Sequence, residues 1–274
     1  MVDSSDALPD LRDPNILSIG YNAVYTATPH SATLRRLWHE LAEGLDFPED
    51  FGHISFVTLP QLRRIAAELR LGPGGTLVDL GCGRAGPALW VARELGAQLI
   101  GVDFAAVAVE QAGARAAALG LAGQARFVVG TFADTGLDPE SADGAMSEDA
   151  LQYAPDKRAA VAEAGRILRR GARMVFTAFE LEPGRAAGLP VFGSDPVDDY
   201  RPLLSEAGFA VEAYEEVPGW PEPMTATYSA LVSAGGTLAQ EMGPQAAAAL
   251  LTELSMTLQQ QPYRRRVLVV ATKR

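Results

Sequence analysis

The chain has 274 residues, 48% of them hydrophobic and 21% charged, enough apolar material for one large domain and too much for a disordered chain, fibre or repeat array. With 23 basic against 34 acidic residues the net charge is −11, so no field gathers a phosphate backbone and nucleic acid is not an expected partner. A single cysteine, Cys82, an acidic N-terminus without a signal pattern and no membrane-length apolar run predict a soluble, cytoplasmic protein with no membrane partner.

Residues 1 to 30 are rich in Asp, Pro, Asn and Thr without an apolar period, and read as a loosely held arm anchored locally by Tyr21 and Tyr25. From Ser31, an N-cap type, Leu34, Leu37, Trp38 and Leu41 follow the spacing of an amphipathic helix. A connector over 44 to 57 leads to a second such pattern, Leu62, Ile65, Ala66 and Leu69, closed by Gly72-Pro73-Gly74-Gly75. Beyond residue 75, apolar runs at 76 to 80, 98 to 102, 126 to 129, 142 to 147 and 172 to 179 alternate with helical patterns, as in a parallel sheet covered on both faces. Pro87 opens one of these helices and Gly96 stops it, while Asp156 caps another carrying Val161, Ala164 and Leu168. Two late strands, 209 to 214 and 266 to 272, are too far apart for a hairpin. Between them Met224, Tyr228, Leu231 and Val232 share one helical face and, after Pro244, so do Ala247, Leu250, Leu251, Leu254 and Leu258, which predicts an inserted helical pair.

The segment Leu77-Val-Asp-Leu-Gly-Cys-Gly-Arg-Ala-Gly86 joins an apolar strand, an acid, closely spaced glycines and a helix start. Glycines there let backbone approach a ligand, and the helix offers free N–H groups. Asp103, ending the next apolar run, can accept both hydroxyls of a ribose. Gly81, Gly83 and Gly86 also spell the G-x-G-x-x-G of dinucleotide sites. Asp79, two residues earlier, would repel a pyrophosphate and attract an ammonium, which argues against NAD. Adenine, a ribose diol and a cationic amino-acid tail together describe S-adenosylmethionine.

On these residues the segment resembles motif I of class I S-adenosylmethionine-dependent methyltransferases of the small-molecule type. Further resemblance lies in Asp103-Phe104, the turn Gly130-Thr131-Phe132-Ala133-Asp134, Asp143 to Tyr153, and Arg166-Ile-Leu-Arg-Arg-Gly171. Together with the patterns above, it gives an expected α/β, Rossmann-like, doubly wound, mostly parallel seven-stranded sheet, with an N-terminal arm and helical lid (1–75), a core (76–217), an inserted helical cap (218–262) and a final core strand (263–274). It implies S-adenosyl-L-methionine as cofactor. Asp79 and the backbone of Gly81, Cys82 and Gly83 would hold the methionine part, Asp103 the ribose, and Phe104, Thr131 and Phe132 the adenine surroundings. Ser147 would lie near the sulfonium and Tyr21 on the methionine tail. Ala85 replaces a family glycine, at small expected cost because alanine is nearly as small.

Methyl transfer requires alignment and exclusion of water, and a base only where the nucleophile needs one. Many relatives carry a histidine where this chain has Tyr153, so the base is open among His53, Glu148, Asp149, Tyr153 and Glu180, with Tyr153, His53 and Asp149 favoured. Trp220 and Tyr228 are expected over the substrate. Cys82 reads as spacing, Arg264 to Arg266 as the charged start of a strand with no role, and no metal-ligand spacing occurs. The expected activity is methyl transfer to a small molecule of secondary metabolism in an enclosed pocket. The alternatives are a cyclisation, decarboxylation or rearrangement on the same fold and, further off, an NAD-dependent oxidoreductase. The methylated atom (O, N or C) and the oligomeric state are left open.

Overall fold

A computed structural model describes residues 14–44, 46–182, 184, 188–189 and 196–274; residues 1–13 of the expected arm lie outside them. Seven strands form one sheet: β1 (Thr76–Leu80), β2 (Gln98–Asp103), β3 (Ala125–Val129), β4 (Ala142–Glu148), β5 (Leu168–Leu181), β6 (Phe209–Glu216) and β7 (Arg264–Lys273). Their order is β3-β2-β1-β4-β5-β7-β6. The first five run parallel, and β7 is antiparallel to β5 and β6. All seven expected apolar runs are strands; β5 starts earlier than expected, at Leu168, because it follows its preceding helix without a loop. The chain reverses direction across the sheet between β1 and β4, so the loops leaving their carboxyl ends open a crevice where ligands collect.

Each face of the sheet is covered. On one side α3 (Leu59–Leu69), α4 (Gly86–Leu95) and α5 (Ala106–Ala118) bury Leu62, Trp90 and Ala112 against Leu77, Leu99 and Val175. On the other, α6 (Lys157–Ile167) and α7 (Arg201–Glu206) bury Val161 and Leu204 against Val78, Phe176 and Val269. Caps set the helix starts. Asp156 accepts from the Ala159 amide, and Thr58 and Gln61 form a reciprocal capping box at α3.

A third core lies above the carboxyl ends of the strands. It joins α1 (Pro14–Ala27) and α2 (Ala32–Trp38) to the inserted helices α8 (Pro221–Ser233), α9 (Gly235–Met242) and α10 (Pro244–Gln260), through Val24, Leu34, Trp38, Met224, Leu238 and Leu250. Two expectations change here. Residues 14–27, read as a loose arm, are helical: the polar composition hid a face whose apolar and aromatic members meet other elements instead of repeating at close spacing. The insertion holds three helices, since α9 occupies the turn between the expected two. The lid and the insertion share this one core, and Glu241 of α9 fastens them by accepting from Ser31 Oγ at 2.5 Å, Thr33 N at 3.1 Å and Thr33 Oγ1 at 2.9 Å.

Candidate active site

The crevice holds two adjoining cavities. One reaches from the glycine turn under the roof and is bordered by Asp79, Glu148, His53, Tyr228 and Glu253. The other is bordered by Thr131, Phe132, Pro155 and Asp156. Tyr21, Gly81, Asp103, Phe104, Phe132 and Tyr153 border both.

The turn between β1 and α4 has glycine where geometry demands it. Gly81 sits at φ +75°, and a Cβ on it would come within 2.7 Å of both Ala150 and the Phe132 ring. At Gly86 a Cβ would lie 2.0 Å from the Phe51 carbonyl oxygen, so the lid rests directly on this turn. Ala85, between them, has φ 56°. The expected small cost is thus corrected in kind: it comes from a left-handed backbone that alanine disfavours, not from side-chain size.

Two acids on the floor lack partners. Asp79 Oδ1 and Glu148 Oε1 are buried without a hydrogen bond among the described residues. Burial, and then the Asp103 charge, push the Asp79 carboxyl up to about 8. Burial, with Asp79 and Asp149 nearby, also pushes Glu148 well up. Neighbouring desolvated carboxyls of this kind call for a cation. Asp103 has one backbone amide on each oxygen, Gly83 N at 2.7 Å and Ala105 N at 2.9 Å, and retains further acceptor capacity. Cys82 is a buried, free thiol raised by burial, whose Sγ fills space that only a glycine at position 101 leaves open.

Residues 78–176 match the family model described as a methyltransferase domain. The 27-O-demethylrifamycin SV methyltransferase of Amycolatopsis mediterranei (strain S699) is 26% identical over 221 residues, 77% of this chain and 79% of that one. In fold, the chain is similar to the cyclopropane synthase MmaA2 from Mycobacterium tuberculosis, with a TM-score of 0.72 at 14% identity over 93% of this chain and 98% of that one. It is also similar to the [4+2]-cyclase SpnF, with a TM-score of 0.68 at 22% identity over 78% and 80%. Residues 78–176 are a methyltransferase domain of the class I S-adenosylmethionine-dependent kind. S-adenosylmethionine is its cofactor, and the residues present fit it: paired orphaned acids for an ammonium, an acceptor-rich Asp103 for a diol and an aromatic cavity beyond.

Not every residue expected in the site of this methyltransferase lies there. Ser147 is wholly buried, its hydroxyl donating to the Leu80 carbonyl at 2.7 Å; strand alternation turns Glu148 to the cavity instead. Trp220 stands behind the wall, edge-on to Phe179 with centroids 5.0 Å apart. Glu180 is held by Tyr214 and by Arg265 Nε at 2.7 Å, away from the cavity. Thr131 reaches only the second cavity and accepts from the Asp134 amide at 3.0 Å. Asp149, expected as a base, borders the first cavity but is bound as a clamp. Its Oδ1 accepts from Arg266 Nε at 2.8 Å and Thr177 Oγ1 at 2.9 Å, and its Oδ2 from Phe56 N at 2.9 Å. Burial alone would raise this carboxyl, but Arg266 and these donors hold it below its ordinary value.

His53 fares differently. Its backbone N–H donates to Glu43 Oε1 at 2.7 Å, the ring stands edge-on to Phe47 at 4.5 Å, and neither ring nitrogen has a partner among the described residues. Burial lowers its pKa to about 4, against the smaller opposing effects of Glu43 and Asp149. Tyr153 donates to Glu253 Oε1 at 2.9 Å. Glu253 and Arg264 are wall residues that the sequence reading missed. Glu253 falls three residues after Leu250 and one before Leu254, on the apolar stripe of α10, and an acid on such a stripe was the available signal. Arg264 and Arg266 alternate onto one face of β7; Arg264 stacks over Phe179 at 4.3 Å, and Arg266 is wholly buried.

Proposed function

We propose that this methyltransferase transfers the methyl group of S-adenosylmethionine to a hydroxyl of an apolar small molecule, a product of secondary metabolism, with His53 receiving the proton. One observation carries the reading: His53 presents a neutral, unpartnered imidazole to the same cavity as the orphaned acids Asp79 and Glu148. Glu43 and Asp149 lie close enough to favour the imidazolium as it forms. Phe56, Phe179, Met224, Leu250 and Leu254 give the cavity an apolar wall suited to such an acceptor. The Amycolatopsis relative acts, by its name, on 27-O-demethylrifamycin SV, which supports an oxygen acceptor of this class.

The cofactor supplies an electrophilic methyl on a sulfonium. In this reading Asp79 and Glu148 hold its ammonium, with Arg84, at the same cavity, facing the carboxylate. Gly81 to Gly83 offer backbone along the methionine part, Asp103 accepts from the ribose, and Phe104, Thr131 and Phe132 surround adenine. The lid and inserted cap act as one roof that orients the acceptor and excludes water. Orientation contributes up to about 7–11 kcal/mol, and a positioned base roughly 3–5 kcal/mol. We place the protein in the cytoplasm, where a reduced thiol such as Cys82 persists.

The test is incubation of labelled cofactor with a panel of apolar alcohols and phenols, read by product mass. The expected product gains one methyl group, and His53→Gln lowers its rate of formation. A product lacking that gain would move the assignment to non-methylating chemistry such as a cyclisation.

A further inference from the structure

Glu253 is a half-buried carboxylate with no part in the reading above. It lies on α10 and accepts at Oε1 from Tyr21 Oη of α1 at 3.0 Å and from Tyr153 Oη at 2.9 Å. The two tyrosines stand edge-on with centroids 6.0 Å apart, and Tyr21 stands edge-on to Phe104 at 5.6 Å. Both tyrosines and Phe104 border both cavities, which makes them the junction between the acid-bearing half and the half containing Thr131.

Covalent connectivity gives that junction a chemical meaning. In S-adenosylmethionine the sulfur joins the amino-acid end to the adenosyl end, and it carries the positive charge. Aromatic rings attract a cation, and a carboxylate in a desolvated site does so more strongly. We propose that Tyr21, Glu253 and Tyr153 form a sulfonium-recognition element, with Glu253 as the residue that makes the protein prefer the charged methyl donor to its neutral demethylated product. This rests on the cofactor placement proposed above. Product inhibition is weakened by the same device, because S-adenosylhomocysteine lacks the charge that Glu253 meets.

Proton linkage gives a readout that packing does not. Burial pushes the Glu253 carboxyl up, opposed by the Tyr153 and Tyr21 hydroxyls and the Arg264 charge, while Tyr228 and Tyr25 also lie within its electrostatic reach. Meeting a sulfonium favours the ionised carboxylate, so at a pH where Glu253 is protonated in the free protein, binding the charged ligand expels a proton that binding the neutral one does not. Asp79 and Glu148 also release protons to an ammonium, but both ligands carry that ammonium, and the difference between them isolates Glu253.

The experiment is calorimetric titration of the full chain with S-adenosylmethionine and with S-adenosylhomocysteine, each in two buffers of different ionisation enthalpy. The expected result is greater proton release for the charged ligand. Glu253→Gln weakens that ligand by about ten-fold or more, the range of a lost charge-assisted contact, and changes the neutral one little. Tyr153→Phe removes one donor from the carboxylate and moves the loss of preference to higher pH. Equal proton release in the wild type at every pH of a series run from acid to alkaline, or equal weakening of both ligands by Glu253→Gln, overturns the proposal. The wild-type proton count and Tyr153→Phe keep it testable if Glu253→Gln fails to fold. Asp79→Asn is the control, expected to weaken both ligands alike; if it weakens neither, the cofactor placement itself falls, independently of Glu253.

Discussion

Arg266 and Asp149 form a buried ion pair, Nε to Oδ1 at 2.8 Å, that ties the last strand to the loop after β4 and, through the Phe56 amide, to the lid. Arg266 also donates to Gln61 Oε1 of α3 at 2.9 Å, so one guanidinium joins sheet, loop and leading helices. Asp149 itself has φ 50°, a backbone held there by its amide donating to Thr177 O at 3.0 Å.

Because neither charge has water to fall back on, removing one partner leaves the other stranded. Arg266→Met is expected to destabilise by about 3–5 kcal/mol, and the double variant with Asp149→Leu by less than the sum of the singles. Urea unfolding of the four proteins measures the coupling. The carboxyl of Asp149 is held below its ordinary value, so its contribution is present above that value and lost as pH falls through the depressed one. Acid unfolding of the wild type therefore includes a component that Asp149→Asn lacks.

Stability and binding oppose each other at Asp79. Its carboxyl is raised to about 8, so the folded protein binds a proton there that the unfolded chain releases near its ordinary value, and the folded state is penalised as pH rises through that window. Asp79→Asn removes the penalty. The cofactor-free variant is expected to be more stable than wild type at pH 8 by on the order of 1–3 kcal/mol, and to bind S-adenosylmethionine less tightly. Thermal unfolding with and without cofactor reports both effects, and a destabilised free variant contradicts the first.

At His53 the sign runs the other way. The folded-state value of about 4 lies below the ordinary 6.5, so on acidification the unfolded chain takes up a proton first and stability falls between pH 6.5 and 4. Removing that linkage, on the order of 3 kcal/mol over the window, flattens the pH dependence of unfolding in His53→Gln. In turnover the same variant is expected to lose about 10²–10⁴-fold in kcat if His53 is the base, with cofactor affinity little changed. A variant of wild-type kcat would leave His53 as a wall residue.

The glycine turn offers opposite outcomes at adjacent positions. Ala85→Gly relieves a left-handed alanine and is expected to stabilise by on the order of 1 kcal/mol. Gly86→Ala drives a methyl to within 2.0 Å of the Phe51 carbonyl and is expected to destabilise by about 1–3 kcal/mol or more while displacing the lid. Hydrogen exchange at residues 51–56, alongside the melting temperature, separates local lid loss from global unfolding.

What the sequence determined by itself is what neighbouring residues decide. Apolar runs bounded by turn residues located all seven strands, Ser31 and Asp156 marked the helix starts they cap, and the acid-glycine turn with Asp103 named the cofactor. Each of these rests on backbone conformation or on contacts within a few residues. Tertiary structure decided the rest, because burial and partners come from distant segments. Two arginines that look alike in Arg264-Arg265-Arg266 differ once folded: Arg265 pairs with Glu180 beside solvent, while Arg266 is buried against Asp149, 117 positions away in the chain. Of two acids side by side at the cavity, Glu148 leaves an oxygen without a partner and Asp149 is bound to Arg266. Helix α1 and Glu253 became legible only when the N-terminus and the insertion met over the sheet, since a carboxylate acquires its role from the hydroxyls and charges that the fold brings to it.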